Sequence, residues 1–276
     1  EYAAKRIVLA EKEQPQEDAG VQDETVLIPV KYPEYANRLT NLALLMRNPK
    51  RDHDLVALSV VYDDANIDRQ RAEGCKLLEQ VTSYAASADV KMHSQLRVAT
   101  NIANGIMHAF KEFRATEVVI GMHMHFSDST TFWGKFHQSL FNGLSRQIIM
   151  ARLMQPLSTL RRIVVCVPSR AQFEPGFYRW LERLSRLAEN LDCRIAYHGR
   201  QDTLTRIRQY ELNHHESVRA EYVEMEHWNE LPTLAAQIKD DHIFVVVTAR
   251  KGTVSFKNAL EHLPEEIKHH FSGSNI

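Results

Sequence analysis

A chain of 276 residues, 44% hydrophobic and 25% charged, is too long for one core of ordinary size and too apolar to stay disordered, which predicts two globular domains. Its 34 Lys and Arg against 35 Asp and Glu leave a net charge of −1, and this excludes a global basic field of the kind that attracts nucleic acid. Cys75, Cys166 and Cys193 are odd in number, far apart and set among apolar residues, which argues against a disulfide framework or a zinc site and predicts reduced core thiols.

No apolar run reaches the roughly 18 to 20 residues needed to cross a bilayer. Glu1 to Ala10 reads as the end of a helix continuing from something earlier, and Glu11 to Glu24, rich in Glu, Gln and Asp, is too polar to bury a core face, so residues 1–23 are expected to be a linker. Thr25 to Val30 is a short apolar run of the kind buried parallel strands use. A helix is predicted from Tyr35 to Arg47, stopped by Asn48-Pro49, then a strand at Asp54–Tyr62, a helix from Ile67 to about Ala88, and a half-exposed strand at Val90–Val98. Asn101–Phe113 is a helix, Thr116–Gly121 a strand, Gly134–Ser145 a helix and Gln147–Leu153 a fifth strand. The order then repeats: strand Arg162–Pro168, helix Phe177–Asn190, strand Cys193–Tyr197, helix Leu204–His214, strand Ala220–Met225, helix Leu231–Lys239, strand His242–Thr248 and helix Asn258–Phe271. Alternating strands and helices demand crossover connections, hence two mainly parallel sheets with helices on their faces, bounded at 24–158 and 159–276. The second is expected to lack its last strand in this stretch of sequence.

The end of the fourth strand is the candidate ligand site, because ligands of such sheets bind beyond the carboxyl ends of the strands. Gly121 permits close approach to the backbone, and the helix starting at Gly134-Lys135 offers unpaired N–H groups and a positive dipole end to an anion. Between them the loop from Met122 and His123 carries Ser127, Ser129 and Thr130, whose hydroxyls are donors for phosphate oxygens, and Asp128, which would repel them. Phe132, Trp133 and Phe136 are available to stack on a base or to pack against their own core.

A five-stranded parallel unit with a glycine after its fourth strand, a glycine at the next helix and a second copy behind it resembles the tandem universal stress proteins, a Rossmann-like fold related to the adenine nucleotide alpha hydrolases. The family's nucleotide motif is Gly-x-x-Gly, nine residues, then Gly-Ser or Gly-Thr. Gly121 and Gly134 match it, whereas Met124 replaces the second glycine and Lys135 the hydroxyl residue. Lys31 stands at the end of the first strand, where the family usually has an aspartate near the adenosine. The resemblance implies ATP, AMP or cyclic di-AMP as ligands of the first repeat, at Lys31, Gly121, Met122, His123, Ser127, Ser129, Thr130, Gly134 and Lys135. The second repeat's loop, Thr248 to Thr253, lacks the glycine spacing, so Arg250 and Lys251 are expected in an exposed turn.

A narrower resemblance runs through Glu1–Ala10, Met154–Val165, Phe173–Tyr178 and Val245–Gly252, which look like the cytoplasmic tail of bacterial sodium or potassium ion:proton antiporters. It implies a regulatory domain at the cytoplasmic face of the inner membrane, following the membrane transport domain of the same polypeptide and forming a homodimer, with ligand binding rather than catalysis as its work. A free-standing ATP-binding tandem stress protein is the alternative reading, and a weak nucleotide hydrolase the third.

Other chemistry is sparse. No Walker loop, dinucleotide fingerprint, nucleophile elbow or paired-cysteine motif is present. Among 14 histidines, His123, His125 and His137 lack a carboxylate or thiolate at ligand spacing, so they predict polar loop residues rather than a metal site. His214-His215 and His269-His270 fall near helix C-termini, where the dipole favours the charged ring; a cytosolic pH sensor is one reading of them, and solvated residues are the expected one.

Overall fold

The computed structural model describes residues 24–51, 53–122, 136, 139, 140 and 142–276, which fall into two compact units divided between Leu153 and Met154. In the first unit β1 (Glu24–Pro29), β2 (His53–Tyr62), β3 (Met92–Ala99), β4 (Glu117–Gly121) and β5 (Gln147–Ala151) form one sheet in the order β3-β2-β1-β4-β5. Every pairing in it is parallel. The three central strands are apolar without interruption because both sheet faces are covered: Val26 to Ile28, Leu55 to Leu58 and Val118 to Ile120 are all buried. Edge strand β3 is half-exposed along its length, as its weak alternation predicts.

The crossover helices are α1 (Pro33–Met46), α2 (Ile67–Ser87) and α3 (Ile102–Glu112). Pro33 opens α1, where a missing N–H costs nothing, and the Asn101 side chain caps α3 by accepting from the Asn104 N–H at 3.2 Å. Strand parity places α2 and α3 on opposite faces. A Cβ on Gly74 of α2 would lie 2.8 Å from Ser59 Oγ, whereas one on Gly105 of α3 would lie 2.7 Å from Val60 Cγ1, one residue further along β2. Ile106, Ala109 and Phe110 of α3 share a core with Leu27, Leu58, Val118 and Ile120, and with Leu140 and Leu144. Phe136, Ser139, Leu140, Asn142 and Gly143 are helical, as expected between Gly134 and Ser145.

The second unit repeats the plan in reduced form. β6 (Arg162–Cys166), β7 (Arg194–Gly199), β8 (Arg219–Glu224) and β9 (His242–Val246) are parallel in the order β8-β7-β6-β9. At the place β5 takes beside β4, Asn275 makes a single parallel bridge to Ile243, and its carbonyl accepts from Phe244 N–H at 2.9 Å. Helices α4 (Phe177–Leu191) and α5 (Gln201–His214) are full length. The helix predicted at Leu231–Lys239 is shorter, with a 3-10 turn at Trp228–Glu230 leading into α6 (Leu231–Ala235). Only Leu231 and Leu234 are buried there, which is one turn of apolar stripe. The predicted helix Asn258–Phe271 likewise divides into a 3-10 segment, Asn258–His262, and α7 (Leu263–His270), because Pro264 has no backbone N–H to continue the hydrogen-bond ladder.

The cysteines correct one expectation. Cys166 and Cys193 are buried free thiols, but Cys75 is exposed on α2. It sits about 100° round the helix from Gly74, on the flank of the stripe formed by Gly74, Leu78, Val81 and Ala85. Burial pushes the Cys193 thiol up to about 11 and the Cys166 thiol higher still. A maleimide is therefore expected to label Cys75 promptly in the native protein and the other two only after denaturant is added. Equal labelling of all three, read by mass spectrometry of tryptic peptides, would contradict this placement.

Candidate functional site

The ends of β1, β4 and β5 enclose a cleft lined by Val30, Lys31, Tyr32 and Tyr35 on one side and Gly121, Met122, Arg152 and Leu153 on the other. Its shape follows from the register. β1 pairs with β4 at Leu27–Val118 and β4 with β5 at Gly121–Ala151, and Met122 N–H continues the second ladder to the Ala151 carbonyl at 2.7 Å, so the three strands end near one level. Arg38 of α1 closes the corner by donating to the Leu153 carbonyl at 3.0 Å. The cleft is shallow, with a volume of about 20 Å3.

The charge of the lining has one sign. Lys31 and Arg152 are its ionisable cations, and no carboxylate lines it among the described residues. Arg152 is only 3% exposed, and burial lowers its pKa. Lys31 is exposed, with its ammonium 5.5 Å from the centroid of the Tyr32 ring, where the ring face favours a cation. Two cations of different depth beside the bare backbone of Gly121 can hold an anionic group by charge and by hydrogen bonds.

Of the residues predicted from sequence, Lys31, Gly121 and Met122 come together here. His123, Ser127, Ser129, Thr130, Gly134 and Lys135 lie outside the described residues, as do Met124, Asp128, His125, Phe132, Trp133 and His137. Among the described residues no group of three His, Cys, Asp or Glu side chains is arranged to hold a metal ion. Arg152 was missed by the sequence reading. Its signal is a lone arginine between Ala151 and Leu153 in an apolar strand end, a position where a charge needs a reason.

The corresponding end of the second sheet is differently furnished. Ser255 donates both its N–H, at 2.8 Å, and its hydroxyl, at 2.6 Å, to Glu174 Oε1, so a carboxylate of the chain itself takes donors that an anion would use. Lys251 is exposed and pairs with Glu261 at 3.1 Å, as an exposed turn predicts, with Gly252 at φ 91. Arg250 departs from the prediction: it is half-buried, with its pKa lowered by desolvation. His215 departs further, being 2% exposed rather than solvated, whereas His214 and His269 are exposed as expected.

No helix among the described residues is long and apolar enough to cross a membrane. No family model matches the chain, and no curated protein matches it. Solved structures do. A universal stress protein from Archaeoglobus fulgidus DSM 4304 superposes over 92% of this chain and 94% of its own, with a TM-score of 0.57 and 12% identity. The cytoplasmic domain of a prokaryotic cation chloride cotransporter matches over the same shares, 92% and 94%, with a TM-score of 0.54 and 12% identity. These likenesses span both repeats, and at that identity they establish the fold: two tandem α/β units of the universal stress protein type, each a mainly parallel sheet flanked by helices.

Proposed function

We propose that the chain is the cytoplasmic regulatory region of a bacterial sodium or potassium ion:proton antiporter and that its first repeat binds an adenine nucleotide or cyclic dinucleotide. The observation that carries ligand binding is the cleft at the ends of β1, β4 and β5, where Lys31, Arg152 and Gly121 meet. The membrane role rests on the antiporter-like segments, and the cotransporter domain with the same tandem fold supports it. The partners are then the membrane transport domain of the same polypeptide and a second copy, and the work is binding rather than turnover. A ligand that binds one packing of the tail more tightly biases the transporter by that difference in affinity. The tandem extent of the Archaeoglobus protein supports the alternative, a free-standing ATP-binding stress protein.

Calorimetric titration with ATP, AMP and cyclic di-AMP tests the site, with adenosine as the uncharged control. At least one phosphorylated ligand should bind and adenosine should not. Arg152→Gln should weaken binding about tenfold or more, as expected for losing a charge-assisted hydrogen bond, and Lys31→Ala somewhat less. If no phosphorylated ligand binds at millimolar concentration, or both variants bind like the parent, the cleft is not the site. The regulatory role has its own test. Deleting these residues from the intact transporter should change its response to ligand while ion exchange continues, and a folded truncation that exchanges no ions would refute it.

A further inference from the structure

The second repeat contains a buried charge cluster that ligand binding at the first-repeat cleft does not use. His215 follows α5 and is 2% exposed, with a carboxylate on each ring nitrogen: Glu182 Oε2 lies 2.8 Å from Nε2 and Glu189 Oε1 3.0 Å from Nδ1. An ionised carboxylate only accepts hydrogen bonds, so satisfying both contacts requires a proton on both nitrogens. The geometry therefore describes an imidazolium held between two α4 carboxylates seven residues, or two turns, apart.

Every neighbouring element contributes to the balance. From α4, Arg186 bridges the same two acids, to Glu182 at 3.1 Å and to Glu189 at 3.3 Å. From α5, the Tyr210 hydroxyl donates to Glu182 Oε2 at 2.8 Å, and the His214 ring lies 4.7 Å from the Tyr210 ring. Glu211, one turn before His215, is buried, and its Oε1 accepts from Tyr197 of β7 at 2.7 Å and from Ser185 of α4 at 2.9 Å. The Ser217 hydroxyl donates to Glu189 Oε1 at 3.0 Å from the turn that enters β8. Burial opposes the charge on His215, but the hydrogen bonds to Glu182 and Glu189 and their negative charges outweigh it, so its pKa is raised.

We propose that His215 is a proton-binding site through which the second repeat responds to pH, its imidazolium clamping the corner between α5 and β8 onto α4 and releasing it when the proton leaves. Neutral imidazole donates through one nitrogen only. The other then turns a lone pair toward a carboxylate, so His215 lets go of one of the two acids while Arg186 still bridges both. The corner that loosens leads directly into edge strand β8, whose Arg219 is fastened to the α4 C-terminus through Asp192 Oδ1 at 2.9 Å. Because the folded-state pKa is raised, the clamp is complete below the ordinary histidine value of about 6.5 and is lost as pH rises through the higher folded value. Release is thus an alkaline event.

The whole chain serves for the test. The His215 ring, followed by nitrogen-detected NMR between pH 6 and 10, should stay doubly protonated at neutrality and titrate above the ordinary histidine value. Hydrogen exchange in residues 215–224, corrected for its intrinsic pH dependence, should rise at least tenfold with the same midpoint. Glu189→Gln should move that midpoint to lower pH, and His215→Gln should abolish the step. A singly protonated ring at neutral pH, exchange that is level across the range, or a step unmoved in Glu189→Gln would overturn the proposal. The Glu189→Gln and NMR readouts decide it even if His215→Gln does not fold.

Discussion

Glu182→Ala is expected to cost the second repeat about 3–5 kcal/mol, the range for removing one member of a buried ion pair. Burial alone would raise the Glu182 carboxyl, but hydrogen bonds from His215 and Tyr210, with the charges of His215 and Arg186, hold it well below the usual carboxylate range. Alanine would leave three donors around an empty place: the His215 ring, the Tyr210 hydroxyl and the Arg186 guanidinium. Most of the loss is the desolvation of those orphaned groups rather than the worth of the pair itself. The sign of the pH dependence follows from the lowered pKa. The contribution of Glu182 is present above its unfolded value and fades as pH falls through the folded one, so the variant and the parent should converge in strong acid. Urea unfolding at pH 7, with Glu73→Ala as a control in the exposed pair Arg69–Glu73, provides the measurement. A Glu182→Ala midpoint as little moved as that control would mean that the cluster is not packed as described.

Gly105→Leu should destabilise the first repeat by about 3 kcal/mol, the upper part of the range for overpacking. A Cβ at Gly105 would stand 2.7 Å from Val60 Cγ1 and 3.2 Å from Ala99 Cβ, and neither neighbour can swing aside, since one is a stiff β-branched methyl and the other sits on the backbone. Helix α3 would have to lift from β2 and β3. Even Gly105→Ala should lose stability, although alanine is the better helix former by about 1 kcal/mol. Gly273→Ala, which meets nothing within 4 Å, is the matched control and should be neutral. If Gly105→Ala instead stabilised the protein in chemical denaturation, α3 would not lie this close to the sheet.

The alternation of strands and helices was legible because the central strands are buried on both faces and therefore announce themselves as unbroken apolar runs, Val26–Ile28 and Val118–Ile120 among them. Those runs also marked where strands end, and the resemblance to the stress proteins joined Lys31, at the end of the first, to Gly121, 90 residues away at the end of the fourth. The sequence was silent wherever partners are distant and carry no periodic signature. Arg152 reaches the cleft from β5 as a single charge with no pattern around it. His215 finds Glu182 and Glu189 across 33 and 26 residues, and Ser255 finds Glu174 across 81. Local reasoning from the helix dipole placed His215 in solvent because it considered only its own helix end. Cys75 failed for another reason: the apolar neighbours Leu77 and Leu78 lie on the buried stripe, and one step of about 100° decides which side of it a thiol occupies.

Asn275 gives the second repeat a mechanical property. Its side-chain oxygen accepts the backbone N–H groups of Met154 and Gln155, at 2.8 and 3.0 Å, and its amide nitrogen donates to the carbonyls of Asp240 and His242, at 3.0 and 3.1 Å. A single amide thus staples the residues entering this unit to the start of its last full strand. Tension applied to the polypeptide at Met154 is shared between the chain leading into β6 and the Asn275 side chain, which passes it to the start of β9, so a pull on this end loads two neighbouring strands at once.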